Sequence, residues 1–140
     1  MAGSYAGQCH CGAISFAYST DLSPETWSVR ACECSFCRAH GALYTSDPNG
    51  SVSFSFAKPN ALERYRFGLR TADFLLCRSC GVYIGAVMST GQGSFAALNL
   101  NALVIPVQIP TPEPASYDAE TRDTRVTRRE ERWTPVVGAA

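Results

Sequence analysis

At 140 residues the chain is long enough to bury about 68–70% of its unfolded surface around a single core, and its 12 basic residues are matched by 12 acidic ones. Lys58 is the only lysine and the charges cancel, which excludes the cationic footprint of a nucleic-acid or membrane-surface binder. No basic region followed by an apolar run opens the sequence and no apolar stretch reaches bilayer length, so the chain reads as cytoplasmic, with neither nucleic acid nor membrane as a partner.

In chain order, AISFAYS (13–19) and TWSVRA (26–31) flank a loop from Asp21 to Pro24, and VSFSF (52–56) alternates strictly after the turn DPNG. LERYRF (62–67), ADFLLC (72–77), VYIGAVM (82–88) and SFAALNL (94–100) follow, each short, rich in Val, Ile, Phe, Leu or Tyr, and set off by Gly or Pro. This pattern predicts a mainly β fold, an antiparallel meander without alternating helices. The best helix signal is SFCRAHG (35–41), with Ser35 able to cap and Gly41 to stop it, and no long helix is expected. GQGS (91–94) reads as a plain turn, because it lacks both a full phosphate-binding glycine pattern and a following helix.

From Pro106 the composition changes. PVQIPTPEP favours an extended path, and the charged stretch after it still carries Tyr117, Val126 and Trp133. That end reads either as a solvated tail or as an arm whose aromatics dock on the body or on a second subunit.

Seven cysteines, an odd number in a reducing compartment, point to metal or redox chemistry before disulfides. They fall into C-x-C at Cys9 and Cys11, C-x-C-x-x-C at Cys32, Cys34 and Cys37, and C-x-x-C at Cys77 and Cys80. Two distant pairs make a closed tetrahedral thiolate cage, so Cys9, Cys11, Cys77 and Cys80 are assigned to a structural zinc. Gly12 and Gly81 follow the pairs and let the backbone turn its amides toward sulfur. The remaining three thiols leave one coordination position open, the mark of a catalytic zinc, unless His40 closes the site or the group is a redox centre. Two zinc ions per chain are therefore expected. Glu33, between two of these cysteines, is a candidate general base, whereas His10 is read as a loop side chain. Arg30, Arg38 and Arg78 either offset thiolate charge or hold the carboxylate of an anionic substrate.

GQCHCGAISF, ACECSFCRAHGALY, FLLCRSCGVYIG and LNLNAL together resemble the glutathione-dependent formaldehyde-activating enzyme family, which includes centromere protein V-like proteins, over about residues 7–105. The resemblance implies a zinc-stapled β-tent of packed small sheets, the same division of the cysteines into structural and catalytic ligands, and carbon-sulfur lyase activity on a thiol such as glutathione and a small aldehyde. Glu33 stands where many members carry His. Residues 1–105 are accordingly expected to form a zinc-binding catalytic β domain, with residues 106–140 an extension packed on it or on a second copy in a homodimer. Zinc-water hydrolysis of a small electrophile, with Glu33 or His40 moving protons, and a non-catalytic zinc-stabilised binding module remain the alternatives.

Overall fold

The computed structural model describes residues 3–138. Its strands are β1 (Gly3–Gln8), β2 (Ile14–Thr20), β3 (Arg30–Cys32), β4 (Tyr44–Thr45), β5 (Ser51–Phe56), β6 (Leu62–Tyr65), β7 (Asp73–Cys77), β8 (Tyr83–Thr90), β9 (Gly93–Asn99), β10 (Glu113–Ala115) and β11 (Thr134–Pro135). Two helices, α1 (Ser35–His40) and α2 (Arg122–Arg132), accompany them. The fold is mainly β, with two packed sheets, short helices and cysteine clusters suited to zinc. A small sheet runs β1-β2-β5 and a large one β10-β3-β4-β9-β8-β7-β6, with β11 added beside β9.

Alternation builds the small sheet. Along β2, Ile14, Phe16 and Tyr18 turn inward, and along β5 Val52 and Phe54 do the same, with Phe16 opposite Phe54 across the antiparallel register. Gly7 on β1 pairs with Phe16, whose ring lies over the glycine where any Cβ would collide with it. The DPNG segment forms the expected turn, Gly50 N donating to Asp47 O at 3.0 Å and Asn49 N to Asp47 Oδ1 at 2.9 Å. Gly91 and Gln92 likewise make the two-residue connection of the β8–β9 hairpin, which ends on Gly93 at φ 128°.

The large sheet is covered on both faces, so the buried run of β8 shows no polar-apolar alternation. Leu75, Ile84, Val87, Ala96 and Leu98 face the small sheet and share its core with Trp27 and Val29. Phe74, Tyr83, Ala86, Met88 and Ala97 face the other way, into a second core with Tyr44, Cys37 and Trp133. Neighbours along each strand thus divide between two cores, and the cysteines divide with them: Cys9 and Cys77 belong to the first, Cys37 to the second.

Three local expectations are corrected. Cys34, not Ser35, caps α1: its Sγ accepts from Cys37 N, while Gly41 stops the helix at φ 58° as anticipated. TWSVRA yields only the short β3, preceded by a 3-10 turn at Pro24–Thr26, because Pro24 holds the first turn in place. β10 pairs with β3 in parallel, a departure from the antiparallel meander.

The extension also carries α2, an 11-residue helix where no long helix was expected. Thr121 and Thr124 form a reciprocal capping box, Asp123 lies in the first turn, and Arg129 and Arg132 lie in the last, all agreeing with the helix dipole. The segment after it is tied down by hydrogen bonds: Asp47 N donates to Thr134 Oγ1 at 2.9 Å, Ser46 Oγ to Arg132 O at 2.9 Å, and Val137 N to Val52 O at 2.8 Å. Trp133 is buried in the second core. Among the described residues no helix is long and apolar enough to cross a membrane.

Candidate active site

Two tight turns bring the first cysteine group together. Cys9 and Cys11 follow β1, Cys77 ends β7 and Cys80 lies just beyond it; Gly12 (φ 81°) and Gly81 (φ 79°) take the left-handed conformation that lets each loop fold back. The Ile14 amide donates to Cys9 Sγ and the Cys80 amide to Cys77 Sγ, both at 3.4 Å. Sulfur-to-sulfur distances are 3.7 Å for Cys9–Cys11 and 3.6 Å for Cys11–Cys77. A tetrahedron with Zn–S bonds of about 2.3 Å has edges of ~3.8 Å, so these donors fit a zinc ion. All four sulfurs lie within 4.8 Å of one another. His10 is exposed and outside the group.

The second group comes from the β3 end and the first turn of α1. Cys32, Cys34 and Cys37 also hold their sulfurs within 4.8 Å of one another, and the Cys37 amide donates to Cys34 Sγ at 3.4 Å. The helix start thus points an amide and its dipole at thiolate charge. A hydrogen bond from Cys37 holds the Cys32 thiol down at about 6 despite burial, whereas the same contact and burial push Cys37 up. Cys37 Sγ also meets Tyr44 Oη at 3.0 Å, and Tyr44 Oη meets Tyr83 Oη at 2.6 Å. Burial raises both phenols above their ordinary range, so they stay protonated as donors.

The three sulfurs border a cavity of about 320 Å³. Phe67, Phe74, Ala86, Ala97 and Trp133 supply its apolar lining, and Tyr44 and Thr71 add hydroxyls. Its remaining wall comes largely from the C-terminal extension: Tyr117, Asp118 and Glu120, then Arg125, Arg128 and Arg129 on α2. The four-cysteine group does not line this cavity.

Other sequence candidates lie elsewhere. His40 is exposed, its ring 4.6 Å from that of Phe36, and it does not join the three-sulfur group. Glu33 is exposed and off the cavity lining, with its amide donating to Ala115 O at 2.9 Å. Arg38 is exposed, Arg78 pairs with Glu63 at 2.5 Å, and Arg30 alone of the three lines the cavity. Sequence reasoning missed Tyr44, Tyr83 and Arg129. Tyr44 stood inside the resemblance but nothing in its spacing marks a partner for sulfur, and Arg129 is hidden in a run of surface-like charges.

Comparison with known proteins bears on the same residues. The model of the glutathione-dependent formaldehyde-activating enzyme family matches residues 4–110, which contain every cysteine. A crystal structure of a Rhodobacter sphaeroides protein is similar at 27% identity, covering 75% of this chain and 97% of that one, with a TM-score of 0.57. No curated protein matches. With most of its length and both cysteine groups inside the family match, the chain belongs to the glutathione-dependent formaldehyde-activating enzyme family.

Proposed function

We propose that the chain is a zinc-dependent enzyme of the carbon-sulfur lyase type, adding a glutathione-like thiol to a small aldehyde such as formaldehyde, or reversing that addition. The observation that carries this reading is that the three-thiol group borders a cavity of about 320 Å³ and the four-thiol group does not. Cys9, Cys11, Cys77 and Cys80 would hold a structural zinc, and Cys32, Cys34 and Cys37 a catalytic one. When bound there, zinc lowers the pKa of a thiol it contacts or polarises a carbonyl oxygen.

The chain's own groups supply orientation and shelter. Tyr44 Oη fixes the Cys37 sulfur, and Tyr83 in turn fixes Tyr44, so the rim of the site is set by two buried side chains. Phe74, Ala97 and Trp133 give the cavity a water-poor side that favours capture of a small aldehyde by sulfur over its hydration. In the addition, the thiol sulfur forms a bond to the carbonyl carbon, the C=O π pair moves to oxygen, and the thiol proton ends on that oxygen. Seven free thiols suit a reducing compartment, which agrees with a cytoplasmic location.

Zinc-loaded protein is expected to form the S-hydroxymethyl adduct from glutathione and formaldehyde faster than the uncatalysed mixture, and metal-free protein is not. No acceleration across a panel of thiols and aldehydes would leave a non-catalytic zinc-stabilised module as the better account.

A further inference from the structure

Four guanidiniums and two carboxylates line the cavity, and their pairings are unequal. Arg125 and Arg128 share Glu120, at 3.1 Å and 2.6 Å, and Arg128 also covers the Tyr117 ring at 3.7 Å from its centroid. Both guanidiniums are thus held within the wall, and the single Glu120 carboxylate balances one of their two charges. Arg30 and Arg129 have no acidic partner among the described residues, and exposed Asp118 makes no ion pair with either. Arg30 reaches only hydroxyls, Ser46 Oγ at 2.9 Å and Ser28 Oγ at 3.5 Å.

Arg129 is the more telling of the pair. It is 8% exposed, its Nη1 donates to Thr71 Oγ1 at 2.7 Å, its guanidinium lies 4.6 Å from the Trp133 ring centroid, and its buried Nε has no partner. A buried charge facing a cavity with a donor unused is costly, because the desolvation of the ion is only partly offset. Burial lowers its pKa to about 10, so it remains charged at neutral pH. Helix geometry adds to the case: Val126 and Arg129 lie three positions apart on one face of α2, with Trp133 packed just past its end, and between those two apolar residues, where packing alone would favour an aliphatic side chain, stands arginine.

We propose that Arg129, with Arg30 beside the same cavity, binds a carboxylate of the substrate, and that α2, which lies outside the residues matched by the family, makes the site selective for acid-bearing small molecules over neutral ones. Nε is sealed in, and Nη2, which makes no hydrogen bond to any of the described residues, is the donor left for a ligand; a planar guanidinium matches a carboxylate in shape as well as charge, and the apolar side of the cavity strengthens the contact by excluding water. This inference rests on the reading of the site as one that takes a small thiol or its adduct. Arg129 acts here as a specificity-determining residue at the carboxylate end of the ligand, with the sulfur end directed to the cysteines.

The test compares 3-mercaptopropionate with 3-mercaptopropionamide, by calorimetry on the zinc-loaded full chain. Wild-type protein is expected to bind the acid at least about tenfold more tightly than the amide, the range for a hydrogen bond to a charged group. In Arg129→Gln that preference should shrink to within about twofold through weaker binding of the acid, and Arg129→Lys should restore part of it. Equal binding of acid and amide by the wild type would overturn the inference and leave the thiol reading intact. Binding of neither would overturn both. The wild-type comparison decides even if the glutamine variant fails to fold, and a folded variant that keeps the full preference assigns selectivity to another group.

Discussion

Replacing Cys77 by Ser removes a buried sulfur from a group that joins the start of the chain to its middle. Cys11 and Cys77 are 66 positions apart, whereas Cys34 and Cys37 are 3 apart. Loop-closure cost rises as three-halves RT times the logarithm of loop length, so holding the longer loop restrains about 2.7 kcal/mol more chain entropy. Cys77 is 2% exposed, and a serine hydroxyl left there without a partner costs about 1–3 kcal/mol in addition. The larger loss is the metal: a structural zinc supplies about 10–16 kcal/mol of apparent binding energy, comparable with or above the ~5–15 kcal/mol net stability of a domain. Cys77→Ser is therefore expected to misfold or aggregate. Cys34→Ser, in a half-buried local turn, is expected to fold, bind about one zinc and lose activity. Circular dichroism, thermal melting and zinc content on both proteins check this. Equal unfolding of the two variants would refute the division of labour, because the triple group would then hold the fold together as well.

Three further outcomes test the surroundings of the site. Tyr44→Phe strips the hydroxyl between Cys37 and Tyr83, and should weaken zinc retention at the triple group by about 10–100-fold in a chelator competition while leaving the four-cysteine group loaded. Trp133→Ala opens a gap in the second core and should cost about 3–5 kcal/mol in urea unfolding, with α2 the first segment to lose amide protection in hydrogen exchange. Glu33→Gln should leave adduct formation within about twofold of wild type, since Glu33 is exposed and off the cavity lining; a loss of tenfold or more would restore it as a proton-transfer group.

How much of this was legible in the chain follows from which signals are local. The strands of residues 51–99 announce themselves by β-rich runs between turn residues, and the cysteine clusters already separate into the group of four thiols and the group of three that the fold brings together. β1 was missed because its GSYAGQ carries small residues: Gly7 is there to lie under the Phe16 ring, a cross-strand contact that local propensity cannot register. Cys34 displaced Ser35 as the cap of α1 because a cysteine in this setting serves as both ligand candidate and acceptor, a dual role that capping preferences for hydroxyls do not capture. α2 escaped for a different reason. Its inward stripe runs through Arg129, so a search for apolar periodicity finds a charged, surface-like segment, and its cap uses Thr124 where Glu or Gln is the usual third residue.

The feature that hid α2 from sequence reading is also what gives it a role. A helix that only closed a core would be more stable with an aliphatic residue in the place of Arg129, since its guanidinium is held by one hydroxyl and one ring and leaves Nε unanswered. Thr71, on the loop between β6 and β7, and Trp133, at the end of α2, hold that guanidinium beside the cavity from two sides, so it is ordered before any ligand arrives. Every cysteine lies within residues 4–110, and all of the charged wall except Arg30 comes from residues beyond them. Substitutions on α2 can therefore alter which small molecules the cavity accepts without touching a sulfur ligand. On the proposed function, substitutions at Cys32, Cys34 or Cys37 remove the reaction, and those at Cys9, Cys11, Cys77 or Cys80 remove the fold, whatever the wall admits.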